Sequence, residues 1–178
     1  NNSDENNVTV SDFMSTKVGS WWLYSSNEGN VNLLEATGRD STIENAPYDY
    51  YTMTDTASRT QYVTHTFYAK NGQNYLNLID LDGSQTSFVP AIVFVDSATL
   101  GQTWLNTHRM RYSGLNVDLE IEGTVTAVNA TETINGKTYN NVTKVRSKLR
   151  GRQIPLVPIW TNCGTVDMWF VKGIGVLK

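Results

Sequence analysis

The sequence predicts an all-β (mainly β) fold: an antiparallel sheet in one domain, with at most one or two short helices. Three observations carry that prediction. Long helical periodicity is nearly absent, and apolar and polar residues alternate instead. Turn pairs punctuate the alternating runs, at Asn71-Gly72, Asp82-Gly83, Ser113-Gly114 and Asn135-Gly136. The composition suits strands and turns: 9 Tyr, 5 Trp, only 17% charged residues, and polarity supplied by Asn, Thr, Ser and Gly. At 178 residues the chain is about one domain long, and a domain of that size folds without disulfide or metal staples.

The elements follow in order. Residues 1–10, opening Asn1-Asn2-Ser3-Asp4-Glu5-Asn6-Asn7, read as a flexible N-terminal tether, and residues 11–178 as a single antiparallel β domain. Ser11 or Asp12 is placed to cap one or two helical turns near Phe13 and Met14. Strands are expected at 18–25, 31–37, 49–55, 60–69, 74–80, 86–95, 102–112, 115–129, 138–150 and 164–172, with a short last one at 174–177. Their spacing suits a meander, a barrel or a sandwich. Gly19 and Gly101 precede bulky aromatics at strand starts, where the chain must turn. Trp21, Trp104 and Trp169 are expected to pack into one core, or alternatively to form an aromatic platform for a sugar or lipid. The apolar stretch 154–160 holds Pro155 and Pro158, which exclude it from a central strand. It is expected to plug the mouth of the sheet, or else to offer Ile154, Leu156, Val157 and Trp160 as an exposed contact for lipid, ligand or partner protein. Gly173 and Gly175 share a strand face and leave room for another backbone or a bulky ring.

The net charge of −3 argues against a general nucleic-acid binder, and it is unevenly spread. Residues 1–100 carry 12 acids and 4 bases, a net of −8, whereas residues 101–178 carry 5 acids and 10 bases, a net of +5. Five of those bases, Lys144, Arg146, Lys148, Arg150 and Arg152, occupy alternate positions on one strand face. Their register is predicted from the hairpin that carries them. A type I turn with Gly136 as a left-handed bulge would pair Thr133 with Lys137. Glu122 then faces Lys148, Glu120 faces Arg150 and Asp118 faces Arg152, while Val125 meets Val145 and Ile121 meets Leu149. A tight two-residue turn would shift the register by one and set Ile121 against Arg150, so charge and apolar matching both choose the bulged turn. A two-residue Ser113-Gly114 turn likewise pairs Arg109 with Asp118 and Met110 with Val117. The bases are therefore expected to form a solvent-exposed ion-pair ladder. Lys144 and Arg146 face threonines in this register, which leaves them unmatched as a basic patch for an anionic partner.

Little in the chain nominates chemistry. Cys163 is the one cysteine, which excludes an intramolecular disulfide and a cysteine metal cluster, and it reads as a small buried hydrophobe. His65 and His108 lie in strand patterns without metal-ligand spacing and read as solvated or hydrogen-bonded residues. Asp80-Leu81-Asp82-Gly83-Ser84 starts like a calcium loop but lacks its later ligands, so a hairpin turn is expected, and Asp96 reads as a turn residue. No nucleophile elbow or Ser–His–Asp set occurs, and no catalytic, cofactor-binding or metal-binding residue is expected. No segment approaches the roughly twenty apolar residues of a membrane-spanning helix. Asn1, Asn7, Asn129 and Asn141 open Asn-x-Ser/Thr triplets, which matter only in a eukaryotic secreted protein.

Four segments, in order, resemble a family. Lys17-Val18-Gly19-Ser20-Trp21-Trp22-Leu23-Tyr24 resembles the KVGxxWxY opening of small β-rich lipoproteins and secreted proteins of Bacteroidetes. Leu100-Gly101-Gln102-Thr103-Trp104 resembles their second GxxW segment, and Asn135-Gly136-Lys137-Thr138-Tyr139-Asn140-Asn141-Val142 their NGKTYxNV hairpin. The close, Trp169 to Lys178, resembles their WYxKGVGxVK terminus. The resemblance implies a sheet curled into a half-barrel or barrel, akin to the LolA/LolB lipoprotein-carrier architecture. It also implies an extracytoplasmic location (outer-membrane lipoprotein, periplasm or cell surface), often with lipidation at a cysteine upstream of the mature domain as a membrane tether. The family carries no agreed activity, and residues 30–60 match nothing in it.

The function expected from these readings is non-enzymatic: binding of a lipid, glycan or envelope protein in the concavity of a curved sheet. Two alternatives stand beside it. A hydrolase of envelope polysaccharide needs two carboxyl groups roughly 5–10 Å apart in a cleft. A scaffold or adhesin subunit would use strand edges or the basic stripe.

Overall fold

The strands form two sheets, and within each sheet every strand pairs antiparallel with its neighbours in sequence. The computed structural model describes residues 13–25, 31–43, 45–56, 63–80, 88–112, 114–154 and 157–177, with Ser25, Tyr112, Ile154, Val157 and Pro158 described by their backbone alone. The first sheet runs β1 (Trp21–Ser25), β2 (Val31–Ile43), β3 (Ala46–Asp55), β4 (Val63–Asn71), β5 (Asn74–Asp80) and β6 (Phe88–Val95), in that spatial order. The second runs β7 (Thr103–Tyr112), β8 (Leu115–Ile134), β9 (Lys137–Ile154), β10 (Val157–Val171) and β11 (Gly175–Val176). Both sheets curl into half-barrels. All eleven expected strands are present, and β8 and β9 run on to the hairpin tip. The tether and the Asp82-Gly83 turn lie outside the described residues.

No helix occurs among the described residues. Ser11 and Asp12, the expected caps, lie outside them, and Phe13 and Met14 form a bend. Both side chains are buried, at 7% and 8% exposure, because the segment threads into the interior. Phe13 sits edge-on to Tyr75 and Phe170 and tilted against Phe94, and its amide donates to the Tyr75 hydroxyl. The Tyr51 hydroxyl donates to the Ser15 carbonyl 3.0 Å away. The plug expected from 154–160 is therefore supplied by 13–15. Residues 151–154 and 157–160 continue β9 and β10 instead, and Pro155 and Leu156 between them lie outside the described residues.

The central ribbon keeps its predicted pairing by a different route. Glu122↔Lys148, Glu120↔Arg150, Asp118↔Arg152, Ile121↔Leu149 and Val125↔Val145 all stand opposite one another, as do Arg109↔Asp118 and Met110↔Val117. The tip, however, is a two-residue turn that pairs Ile134 with Lys137 and Thr133 with Thr138, a correction to the bulged turn expected there. Asn135 and Gly136 both take positive φ, 51° and 79°, as a type I′ turn requires. Three bulges restore the register. One extra residue in β9, at Asn141, is outweighed by two in β8, around Asn129 and Thr126, for a net shift of one.

The core lies where the half-barrels meet. Phe94 of β6 stacks on Phe170 of β10 at 4.6 Å, and both pack with Val93, Val125 and Val145. A second cluster gathers Met14, Leu34, Ala36 and Tyr51, and a third, on the opposite face of the first sheet, gathers Tyr48, Phe67 and Leu78. Burying these twelve side chains supplies much of the driving force for folding.

The sheets meet along two seams that carry side chains where a ladder would run. At the first, Trp104 Nε1 donates to the Ile92 carbonyl (2.7 Å), and Asn106 Oδ1 accepts from the Ile92 amide (3.0 Å). At the second, Trp22 Nε1 donates to the Ile174 carbonyl (2.6 Å) and the Tyr24 hydroxyl to the Val176 carbonyl (3.0 Å). Burial, and then Tyr68, push the Tyr24 phenol above its ordinary pKa, which keeps it a donor. Gly175 is required at this seam: a Cβ there would stand 3.0 Å from both the Phe13 carbonyl oxygen and Trp22 Nε1. The expected close approach of a backbone and a bulky ring is met at this residue.

Candidate functional site

The three tryptophans expected in one core stand in three places. Trp104 packs against the central cluster. Trp169 lies on the outer face of β10 with Lys144 Nζ 4.1 Å above its ring. Trp21 is 63% exposed. The division at Trp21 and Trp22 follows from the β1–β2 register: Trp22 stands opposite buried Leu34, so Trp21, opposite Glu35, must face outward. No hydrogen bond or ring contact engages Trp21 among the described residues.

Trp21 edges a groove of about 610 Å³ along the β1–β11 seam. Its walls are Trp22 and Tyr24 from β1, Ile174 and Val176 from the other sheet, and Lys137 and Tyr139 from the β8–β9 tip. Lys137 Nζ lies 5.2 Å from the centre of the Tyr139 ring. Ser15 and Ser20, whose hydroxyls bond each other at 2.9 Å, line its floor. Leu23 and Ile174 are also exposed, at 57% and 39%. Lys137 and Tyr139 were legible only as parts of a hairpin, since nothing local says that the tip reaches the first sheet. The groove is open and mixed in polarity, with rigid aromatic faces fixed by the Trp22 and Tyr24 hydrogen bonds.

Four of the five bases of the stripe are matched, Lys148 being the exception among the described residues. Arg146 makes a bidentate pair with Asp167 of β10 (2.8 and 3.0 Å), and Lys144 pairs with Glu132. The unmatched patch expected at Lys144 and Arg146 is thus absent, because the acids come from elsewhere than the facing positions Ala127 and Thr124: Glu132 from further along β8 and Asp167 from β10. Arg150 serves both Glu120 (2.9 Å) and Glu122 (3.7 Å), diagonally to the second. Asp118 receives Arg109 and Arg152 together and is only 9% exposed, covered by the two guanidiniums. The Arg109 hydrogen bond, against the opposing effect of desolvation, holds its carboxyl below the ordinary carboxylate range. Arg152 also stacks 4.6 Å from the Trp160 ring, so the far end of 154–160 caps the ladder. Ile159 beside it is 72% exposed, while the side chains of Ile154, Leu156 and Val157 lie outside the described residues.

Other candidates are structural or unengaged. Cys163 is exposed on β10, contrary to the buried position expected, because a bulge between Asn162 and Gly164 displaces it from the ladder. His65 hydrogen-bonds the Tyr50 hydroxyl, whereas His108 Nε2 is buried with no partner among the described residues. Asp40 and Asp49 face each other across β2 and β3, and burial, then Asp40, raise the Asp49 pKa. Neither acid lines any of the grooves described above. No group of His, Cys, Asp and Glu among the described residues is placed to hold a metal. No protein-family model, curated protein or solved structure matches the chain.

Proposed function

We propose that this protein is a non-enzymatic binding module of the cell envelope, exported and carried outside the cytoplasm, and that it holds a glycan along the β1–β11 seam. The observation that carries the reading is Trp21: a large aromatic, 63% exposed and unengaged among the described residues, at the rim of the seam groove. An exposed aromatic face presents apolar surface to the C–H face of a sugar ring, while hydroxyls and ammonium groups beside it meet the ring's oxygens. Ser15, Ser20, Lys137 and Tyr139 supply those groups here. Burial of Phe13, Tyr51, Phe94 and Phe170 fills the interior between the sheets, which favours a surface groove over an enclosed lipid cavity. The envelope location rests on the motif resemblance described from the sequence.

Titration of the protein with soluble oligosaccharides, followed by tryptophan fluorescence and calorimetry, tests the reading. Trp21→Ala should weaken binding about tenfold or more, as truncation of a central aromatic contact does. Equal affinity in the variant, or no response to any sugar, would overturn it.

A further inference from the structure

A second cavity, about 400 Å³, opens on the other side of the β10–β11 turn. That volume suits one small ligand. Asn129 of β8 and Asn141 of β9 line it, together with Asp96 and Ser97 after β6 and Lys172 after β10. Phe13 and Phe94 reach its floor.

Its backbone is unusual. Five non-glycine residues among those described take positive φ: Asn45, Ser97, Asn129, Asn135 and Asn141. Asn45 and Asn135 sit in hairpin turns, where such a conformation is routine. The other three all line this one cavity. Asn129 and Asn141 are bulge residues, and a bulge re-aims a side chain out of the pleat. The bulges at Asn129 and Asn141 lie on opposite strands and cancel in register, the net shift coming from Thr126, so this pair serves the direction of the two side chains.

Both asparagine side chains are exposed, and neither amide has a hydrogen-bond partner among the described residues. Each offers one acceptor and two donor hydrogens. Asp96 adds acceptors and Lys172 adds donors. Their closest approach is 4.0 Å, too long for a direct hydrogen bond and open to insertion of a ligand hydroxyl between them. The two charges cancel, so the cavity does not select an ion. We infer that it is a binding site for a neutral saccharide unit, with the two amides and the Asp96–Lys172 pair engaging adjacent hydroxyls over the phenylalanine floor. The site stands independently of the Trp21 groove. Gly173, next to Lys172, lines that groove, so one glycan chain can cross from one site to the other.

The test uses substitutions that keep the backbone. Glycine accepts positive φ without strain, so Asn129→Gly and Asn141→Gly remove the amides and preserve the bulges. Glucose, galactose, mannose and N-acetylglucosamine are titrated separately into isotope-labelled protein. Backbone amide shifts of Asn129, Asn141 and Ser97 are read, with thermal unfolding of each variant as a folding control. At least one sugar should move these signals, and each substitution should weaken it about tenfold. Trp21→Ala should leave that response of the single sugars intact, which separates this site from the groove. Silence of these amides towards all four sugars, or undiminished affinity in a folded double variant, would overturn the inference. Stronger binding of glucuronic acid than of glucose would overturn its neutrality.

Discussion

At the scale of single residues, Asp118 shows how position turns a common ion pair into a fixed feature. Its carboxylate accepts from Arg109 Nε at 2.7 Å and from Arg152 Nη2 at 3.1 Å. Those bonds favour the charged form, so the folded-state pKa is lowered. Asp118 therefore stabilises the fold fully above the ordinary carboxylate pKa of about 3.9, and loses that contribution as pH falls from there through the lowered value. Asp118→Asn should flatten the acid limb of a plot of urea midpoint against pH, below about pH 4, and leave the neutral limb parallel. Superimposable acid limbs would show that the pair does not act in this way. The pairing itself was legible in the sequence, because acids on one strand and bases on the next fit in only one register. The partners of Lys144 and Arg146 were not, since Glu132 and Asp167 reach them through the bulges and from β10. Trp21 was legible as a candidate but not as the exposed member of Trp21-Trp22, a choice that the pairing with β2 makes.

Elements are held together by a few well-placed side chains at the seams. Trp104 lies flat over Gly123 of β8, where a Cβ would stand 2.3 to 2.6 Å from ring atoms. Its ring cannot retreat without breaking the bond to the Ile92 carbonyl. Gly123→Ala should cost roughly 2 kcal/mol or more, within the usual range for overpacking, read as a lowered urea midpoint. Gly151→Ala is the comparison and should cost less, because its nearest neighbours, Cys163 Sγ and a Leu119 methyl, are side-chain ends at 3.3 and 3.4 Å that can give by a few tenths of an ångström. Equal costs at the two positions would argue against a clamped seam. Strand positions were legible because alternation and turn pairs are local. The turn type at Asn135-Gly136 was not, because bulges further down the ribbon undo its effect on register.

Over the whole molecule, the charge imbalance coincides with the division into sheets. The acidic first 100 residues build β1–β6, and the basic remainder builds β7–β11. The point of division was not legible, since a meander has the same alternation whether or not it splits. It splits where Trp104 and Asn106 take the Ile92 groups that a paired strand would have taken. The two half-barrels nonetheless share one aromatic cluster, with Phe13 at its centre. Phe13→Ala should cost about 3–5 kcal/mol, and both wild type and variant should unfold in a single calorimetric transition. Two separate transitions in the wild type would mean that the sheets are independent. Phe13 is also where the amino-terminal chain enters this interior. A pull on the backbone at Phe13 would load these stacked rings directly, because its own ring packs against Tyr75, Phe94 and Phe170. The grip of the interior on this residue and the strength of the body around it are in this way one quantity.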